Sequence, residues 1–195
     1  MAETKHKKRG SNTTLLLLLL VLIGITVAIF MWSTEEPTPL EPTTEETIAE
    51  AQLVAVGDKA PDFNVMMLDG SSAALSDNQD KPTLLLFWAT TCGPCREELS
   101  HLQTDIIDTY GDALRVLIIS TGEKREAVTA FVEEMGYTFN VGVDSDQEIY
   151  GKYAKEYIPR SFLIDASGIV TYLSVGYDEA VAAELDQAIK NELQL

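Results

Sequence analysis

One short stretch limits this chain more than any other: Leu84-Leu-Leu-Phe-Trp-Ala-Thr-Thr-Cys-Gly-Pro-Cys95. An apolar run ends at a small polar turn, and the turn leads directly into two cysteines. A helix-like pattern, Arg96-Glu-Glu-Leu-Ser-His-Leu, follows at once. Strand, turn, Cys-x-x-Cys and helix is the layout of a redox dithiol at a helix N-terminus. The 195 residues hold only these 2 cysteines, so any disulfide chemistry runs through Cys92 and Cys95.

The nucleophile in disulfide exchange is the thiolate. Unpaired amides and the dipole at a helix N-terminus favour a negative charge, and Cys92 stands where it would feel both. Cys95 falls inside the first turn, within reach of Cys92. Cys92 is therefore expected as the exposed attacking thiol and Cys95 as the more buried resolving thiol. Pro94 sits just inside the helix, where its missing N–H leaves no bond unmade.

Rival readings of the pair are weaker. A structural staple would close a loop of only four residues, Cys92 to Cys95, worth about 2 kcal/mol on the chain-entropy model. Zinc wants four ligands. Besides the cysteines the chain offers only His6 and His101, and His6 lies across an apolar segment from the pair. A peroxiredoxin carries Pro-x-x-x-Thr-x-x-Cys, and Leu85 and Ala89 stand at the Pro and Thr positions before Cys92. A degenerate module that kept its cysteines by accident would have no need of an intact strand and helix around them.

Over residues 55–195 the sequence resembles the thioredoxin superfamily, and within it the membrane-anchored TlpA/ResA-like thiol-disulfide oxidoreductases. The resemblance is carried by Gly57-Asp-Lys-Ala-Pro-Asp-Phe63, Phe87-Trp-Ala-Thr-Thr-Cys-Gly-Pro-Cys95, Gly122-Glu123 and Ile158-Pro-Arg-Ser-Phe-Leu-Ile-Asp165, in this order. It implies a redox disulfide Cys92–Cys95 and a cis-proline at Pro159 facing it. It implies that Ile158 offers backbone groups to an extended substrate, and that Trp88 packs under the active site beside the substrate. It also implies that Glu123 stands near the cysteines, where a buried carboxylate could hold or pass a proton. Without the resemblance Pro159 is a turn proline and Glu123 a first-turn acid favoured by a helix dipole. Many relatives have Trp immediately before the first cysteine. Here it is Thr91, which alters the exposed rim.

The N-terminus has a different character. Residues 1–12 are polar and basic, a cytoplasmic tail with Lys5, Lys7, Lys8 and Arg9. Residues 15–32 carry no charge and as a helix would span about 27 Å, close to the hydrocarbon core. With Thr13 and Thr14, residues 13–32 are expected as a transmembrane anchor. The basic cluster before it and Glu35 and Glu36 after it place the catalytic part outside the cytoplasm. A cleaved signal peptide fits less well, because no small-x-small site follows closely. Residues 33–52 hold six glutamates and three prolines, so 33–54 is expected as an extended, self-repelling linker.

The remaining 55–195 suffices for one core. Strands are expected at 63–68 and 73–75, joined by a hairpin turn at Asp69-Gly70, and at 83–88, 114–120, 139–143, 162–164 and 170–175. A helix with Leu99, Leu102, Ile106 and Ile107 on one face should run from Cys92 to Gly111. A second should open at Gly122 and Glu123 and end at Gly136. A short helix over 146–153 and a closing helix over 178–193 complete the set. Pro159 follows Cys95 by 64 residues, which leaves room for the inserted helix and strand of TlpA/ResA-like proteins. The expected fold is α/β and thioredoxin-like: a central mixed sheet flanked by helices, with an N-terminal hairpin and a central insertion.

The net charge is −17, and it is unevenly placed. Residues 1–9 hold four of the 14 Lys and Arg and one of the 31 Asp and Glu, so the rest sets 10 basic against 30 acidic residues, a balance of −20. Such a surface argues against nucleic acid and against docking on anionic lipid. No metal cluster, phosphate loop or cofactor signature is apparent. The chain is thus expected to be an extracytoplasmic protein-disulfide reductase held to the membrane by one N-terminal helix. The resemblance suggests a thiol carrier of the CcdA or DsbD type as electron donor, and apocytochrome c as a substrate. A disulfide-forming oxidase, or a non-catalytic tethered binding or chaperone-like module, would use the same surface.

Overall fold

The computed structural model of the chain describes residues 44–77 and 80–195, together with Leu17, Leu22, Ile23 and Ile25. Met1–Glu41 and Pro42–Leu195 are separate units. The expected tail 1–12 lies outside the described residues. So does the expected anchor 13–32, apart from those four residues, which are helical and exposed. No helix among the described residues is long and apolar enough to cross a membrane.

The folded unit begins earlier than the composition suggests. Thr44–Ala51 is helix α1, with Glu45 and Glu46 in its first turn, where the dipole favours them. The last part of the expected linker is therefore ordered. Ile48 is half-buried and Ala51 buried. The Ala51 carbonyl accepts from the Lys155 amide at 2.7 Å, and the Leu53 amide donates to the Tyr153 carbonyl at 3.0 Å. Two apolar residues show no period in a sequence, yet tertiary contacts supply most of a short helix's stability.

Strands β1 (Asn64–Met66) and β2 (Ser72–Ala74) form the expected hairpin. Gly70, at φ 85°, makes the turn between them. β3 (Thr83–Trp88) is buried at every residue, as an uninterrupted apolar run requires in a sheet covered on both faces. It feeds helix α2 (Gly93–Leu102), which continues through a π turn over Gln103–Ile107 and closes just before Gly111, at φ 50°. β4 (Arg115–Thr121) follows.

Helix α3 (Arg125–Met135) is capped at Lys124, so Gly122 and Glu123 precede the helix rather than open it. β5 (Val141–Asp144) comes next. The helix expected over 146–153 shrinks to one tight turn, Tyr150–Lys152. Asp144 shapes that segment, accepting from the amides of Ile149 at 3.1 Å and Tyr150 at 2.8 Å. β6 (Arg160–Ile164), β7 (Val170–Val175) and α4 (Glu179–Leu193) complete the chain, with Asp178 capping α4.

The sheet order is β5-β4-β3-β6-β7. β3, β4 and β5 run parallel, while β6 is antiparallel to both β3 and β7. The pleat of β3 divides the core. Leu84, Leu86 and Trp88 face α2, α3 and α4 through Leu99, Val128, Leu185 and Ile189. Leu85 and Phe87 face the hairpin and the Tyr150–Ala154 segment through Val65, Met67, Tyr150 and Tyr153. With both faces filled, the chain leaves β3 at one edge of the layered core, and the cysteines lie there.

Candidate active site

Cys92 is the N-cap of α2, with extended backbone at φ −86° and ψ 115°. Its sulfur accepts from the Cys95 amide at 3.2 Å. A helix N-terminus thus directs an N–H group at the atom that must carry charge as a thiolate. Cys92 is half-buried and Cys95 fully buried. The two are joined in a disulfide with Cα atoms 5.3 Å apart. Only Cys92 can therefore meet an incoming disulfide.

The Ile158–Pro159 peptide is cis. The Ile158 carbonyl oxygen lies 3.6 Å from Cys92 Sγ, which brings together groups 66 residues apart. Cys92, Cys95, Ile158 and Pro159 thus form one site. Pro159 is buried and its carbonyl accepts from Gly176 at 2.9 Å, tying the loop to the end of β7. Ile158 is half-buried and packs against both core layers.

Trp88 packs under the site as expected, but it makes no substrate contact. It is fully buried, its ring 5.5 Å from that of Phe131. A side chain with no exposed surface cannot meet a docked polypeptide. Trp88 is the floor of the site, in the same apolar layer as Cys95 and Leu99.

Glu123 is bonded to the turn just before Cys92. One carboxylate oxygen accepts from the Thr90 amide at 2.7 Å and from Ser120 Oγ at 2.9 Å. The other accepts from Thr90 Oγ1 at 2.5 Å. Glu123 therefore pins the turn that carries the chain from β3 to Cys92.

An unoccupied carboxylate oxygen belongs to Glu98, which sequence reading passed over. Glu98 stands three residues after Cys95 on α2, so the two share a helix face. It is buried, one oxygen accepting from Ser161 Oγ at 2.9 Å. The other oxygen has no hydrogen-bond partner among the described residues. Burial pushes its carboxyl up to about 7, against the pull of the Ser161 hydroxyl. Ser161 follows Pro159 by two residues, so Glu98 links the dithiol helix to the cis-proline strand. Helical spacing from Cys95 was the available signal.

The arrangement is that of a two-electron thiol–disulfide exchanger, and the comparisons agree. The profile of the AhpC/TSA family matches residues 56–173. The thiol-disulfide oxidoreductase ResA of Geobacillus kaustophilus is 34% identical over 128 residues, spanning 65% of this chain and 73% of that protein. The solution structure of a putative protein disulfide isomerase from Bacteroides thetaiotaomicron superposes with a TM-score of 0.70 at 34% identity, covering 74% of this chain and 94% of that one. A putative thiol:disulfide interchange protein DsbE from Chlorobium tepidum superposes at 0.64 with 30% identity, covering 72% and 99%. The match over residues 56–173 places the chain in the AhpC/TSA family, and its relatives make it a thioredoxin-like thiol-disulfide oxidoreductase of the TlpA/ResA type.

Proposed function

We propose that the chain works as a reductase of protein disulfides outside the cytoplasm, held to the membrane by residues 13–32. The observation that carries the direction of attack is the asymmetry of the pair: Cys92 half-buried beside the Ile158 carbonyl, Cys95 with no exposed surface. In the reduced protein the Cys92 thiolate attacks one sulfur of the substrate disulfide. The substrate's other sulfur leaves as a thiolate and takes up a proton. Cys95 then gives its proton to a base and attacks Cys92 Sγ, which forms the Cys92–Cys95 disulfide and releases the second substrate thiol. Two electrons pass to the substrate, and the base we assign to the Cys95 proton is Glu98, three residues on along α2 with one carboxylate oxygen unpartnered among the described residues. The Ile158 backbone aligns the substrate strand.

A dithiol used this way outside the cytoplasm must be re-reduced. A membrane thiol carrier of the CcdA or DsbD type is the donor that the family resemblance supports, and apocytochrome c the substrate. Gly93-Pro94 between the cysteines matches reducing thioredoxins and favours this direction over a disulfide-forming oxidase. The deciding measurement is the reduction potential of the Cys92–Cys95 pair in the full chain. A value at or below about −220 mV supports a reductase, and one near about −120 mV means an oxidase. Intact c-type cytochromes after deletion of the gene would remove the substrate assignment and leave the chemistry standing.

A further inference from the structure

The loop that faces the dithiol is held by groups that the exchange chemistry does not use. Tyr157 has φ 71°, a conformation a bulky side chain rarely adopts. The residue is 43% exposed, next to Ile158 at the rim of the site. Two buried donors meet at its carbonyl oxygen: Tyr150 Oη at 2.8 Å and Arg160 Nε at 3.1 Å. The same Nε lies 3.1 Å from the Glu156 carbonyl.

Arg160 is fully buried, and its two terminal nitrogens have no hydrogen-bond partner among the described residues. Burial of such a group without full pairing opposes folding. Phe87 and Val175 are its neighbours across the sheet, so an apolar residue would suit the position better. The fold keeps a guanidinium there whose Nε donates to the carbonyls of residues 156 and 157.

A trans peptide points its carbonyl and its N–H in opposite directions. With the Tyr157 carbonyl drawn toward Tyr150 and Arg160, the Ile158 N–H points away from them. We propose that Arg160 and Tyr150 are positioning residues for polypeptide docking. They clamp the Tyr157 carbonyl, preset the Ile158 backbone for pairing with a substrate strand, and hold the Tyr157 ring out as a contact for that strand. The inference rests on the reductase reading above and adds to it a requirement for an extended peptide around the attacked disulfide.

The test uses the full chain, pre-reduced in detergent micelles, with two probes. One is a short synthetic peptide with an internal Cys-x-x-Cys disulfide. The other is 5,5′-dithiobis(2-nitrobenzoate), a disulfide with no backbone. Tyr150→Phe keeps the packing and removes one donor. It should slow the second-order reaction with the peptide roughly threefold to tenfold, the loss of one hydrogen bond. The aromatic disulfide should react within about twofold of wild type, and the reduction potential should not move. Arg160→Met should slow the peptide further. Tyr157→Gly relieves the backbone, since glycine takes positive φ without strain, so it folds at least as well and still reacts more slowly with the peptide.

If Arg160→Met does not fold, Tyr150→Phe and Tyr157→Gly carry the test. Equal slowing of both probes, or a shifted potential, would overturn the inference by making these residues supports of the dithiol itself. No slowing of the peptide would overturn it as well, as would a wild-type chain that reduces the aromatic disulfide and not the peptide. In those cases the oxidoreductase reading survives. A wild-type chain that reduces neither probe removes that reading, and the inference falls with it.

Discussion

Glu97 and Glu98 are adjacent acids in opposite surroundings. Glu97 is exposed, while Glu98 is buried, three residues past Cys95. The run Arg96-Glu97-Glu98 looks like a solvated helix face, and that is why Glu98 was not legible. Cys92 and Cys95 were, because a Cys-x-x-Cys between strand and helix has few uses. The structure makes Glu98 a titrating group with a consequence for stability. Its carboxyl moves from an ordinary 4.5 up to about 7 through burial. Between those values the folded chain keeps a proton that the unfolded chain has released. Stability therefore falls as pH rises through that window and levels off above about pH 7, a loss of about 3 kcal/mol at 1.36 kcal/mol per pH unit. Glu98→Gln removes the titration and retains an oxygen for Ser161. Denaturant unfolding of the oxidised variant should show a flatter stability curve across the window and a gain over wild type at pH 8. An unchanged slope would mean that Glu98 ionises as an ordinary carboxyl.

At the scale of elements, legibility followed the number of apolar residues available to show a period. Thr83–Trp88 and Val170–Val175 were placed at their observed ends, and α4 within a residue of its own. Helix α1 and the 146–153 segment differ from the sequence expectation. The first is stabilised by backbone bonds to residues 153 and 155, and the second is shaped by Asp144 capping amides five and six residues ahead. Neither relation leaves a local pattern. The hairpin was foreseen, but its docking was not. β1 lies across β5 so closely that a Cβ at Gly142 would sit 2.8 Å from Val65 Cγ2 and 3.3 Å from Met67 Sδ. Val65 is β-branched and almost fully buried, so it has little freedom to turn aside. Gly142→Ala should therefore cost about 1–3 kcal/mol, read as a lower unfolding midpoint. An unfolding midpoint equal to wild type would show that the hairpin rides on β5 without close packing.

At the scale of the whole molecule, charge is the feature that packing does not consume. Residues 10–195 set 10 basic against 30 acidic groups, and among the described residues the buried charged side chains are few: Glu98, Asp144 and Arg160. The negative field is therefore a surface property. Whether it reaches Cys92 depends on local competition. The amides at the N-terminus of α2 stand against it at the dithiol, as does the charge of Arg96, the residue after Cys95, whose guanidinium lies 5.4 Å over the Phe131 ring. Screening separates the contributions, since the Debye length shrinks from about 30 Å at 0.01 M salt to about 3 Å at 1 M. If the acidic surface steers, pre-reduced protein should react faster with cystamine, a dication, as salt is lowered. It should react more slowly with the dianionic 5,5′-dithiobis(2-nitrobenzoate) over the same range. Slopes of these two signs would point to substrates with basic residues flanking their cysteines. Both signs reversed would mean that the helix terminus and Arg96 dominate the approach to Cys92, and two flat slopes that the acidic surface contributes solubility alone.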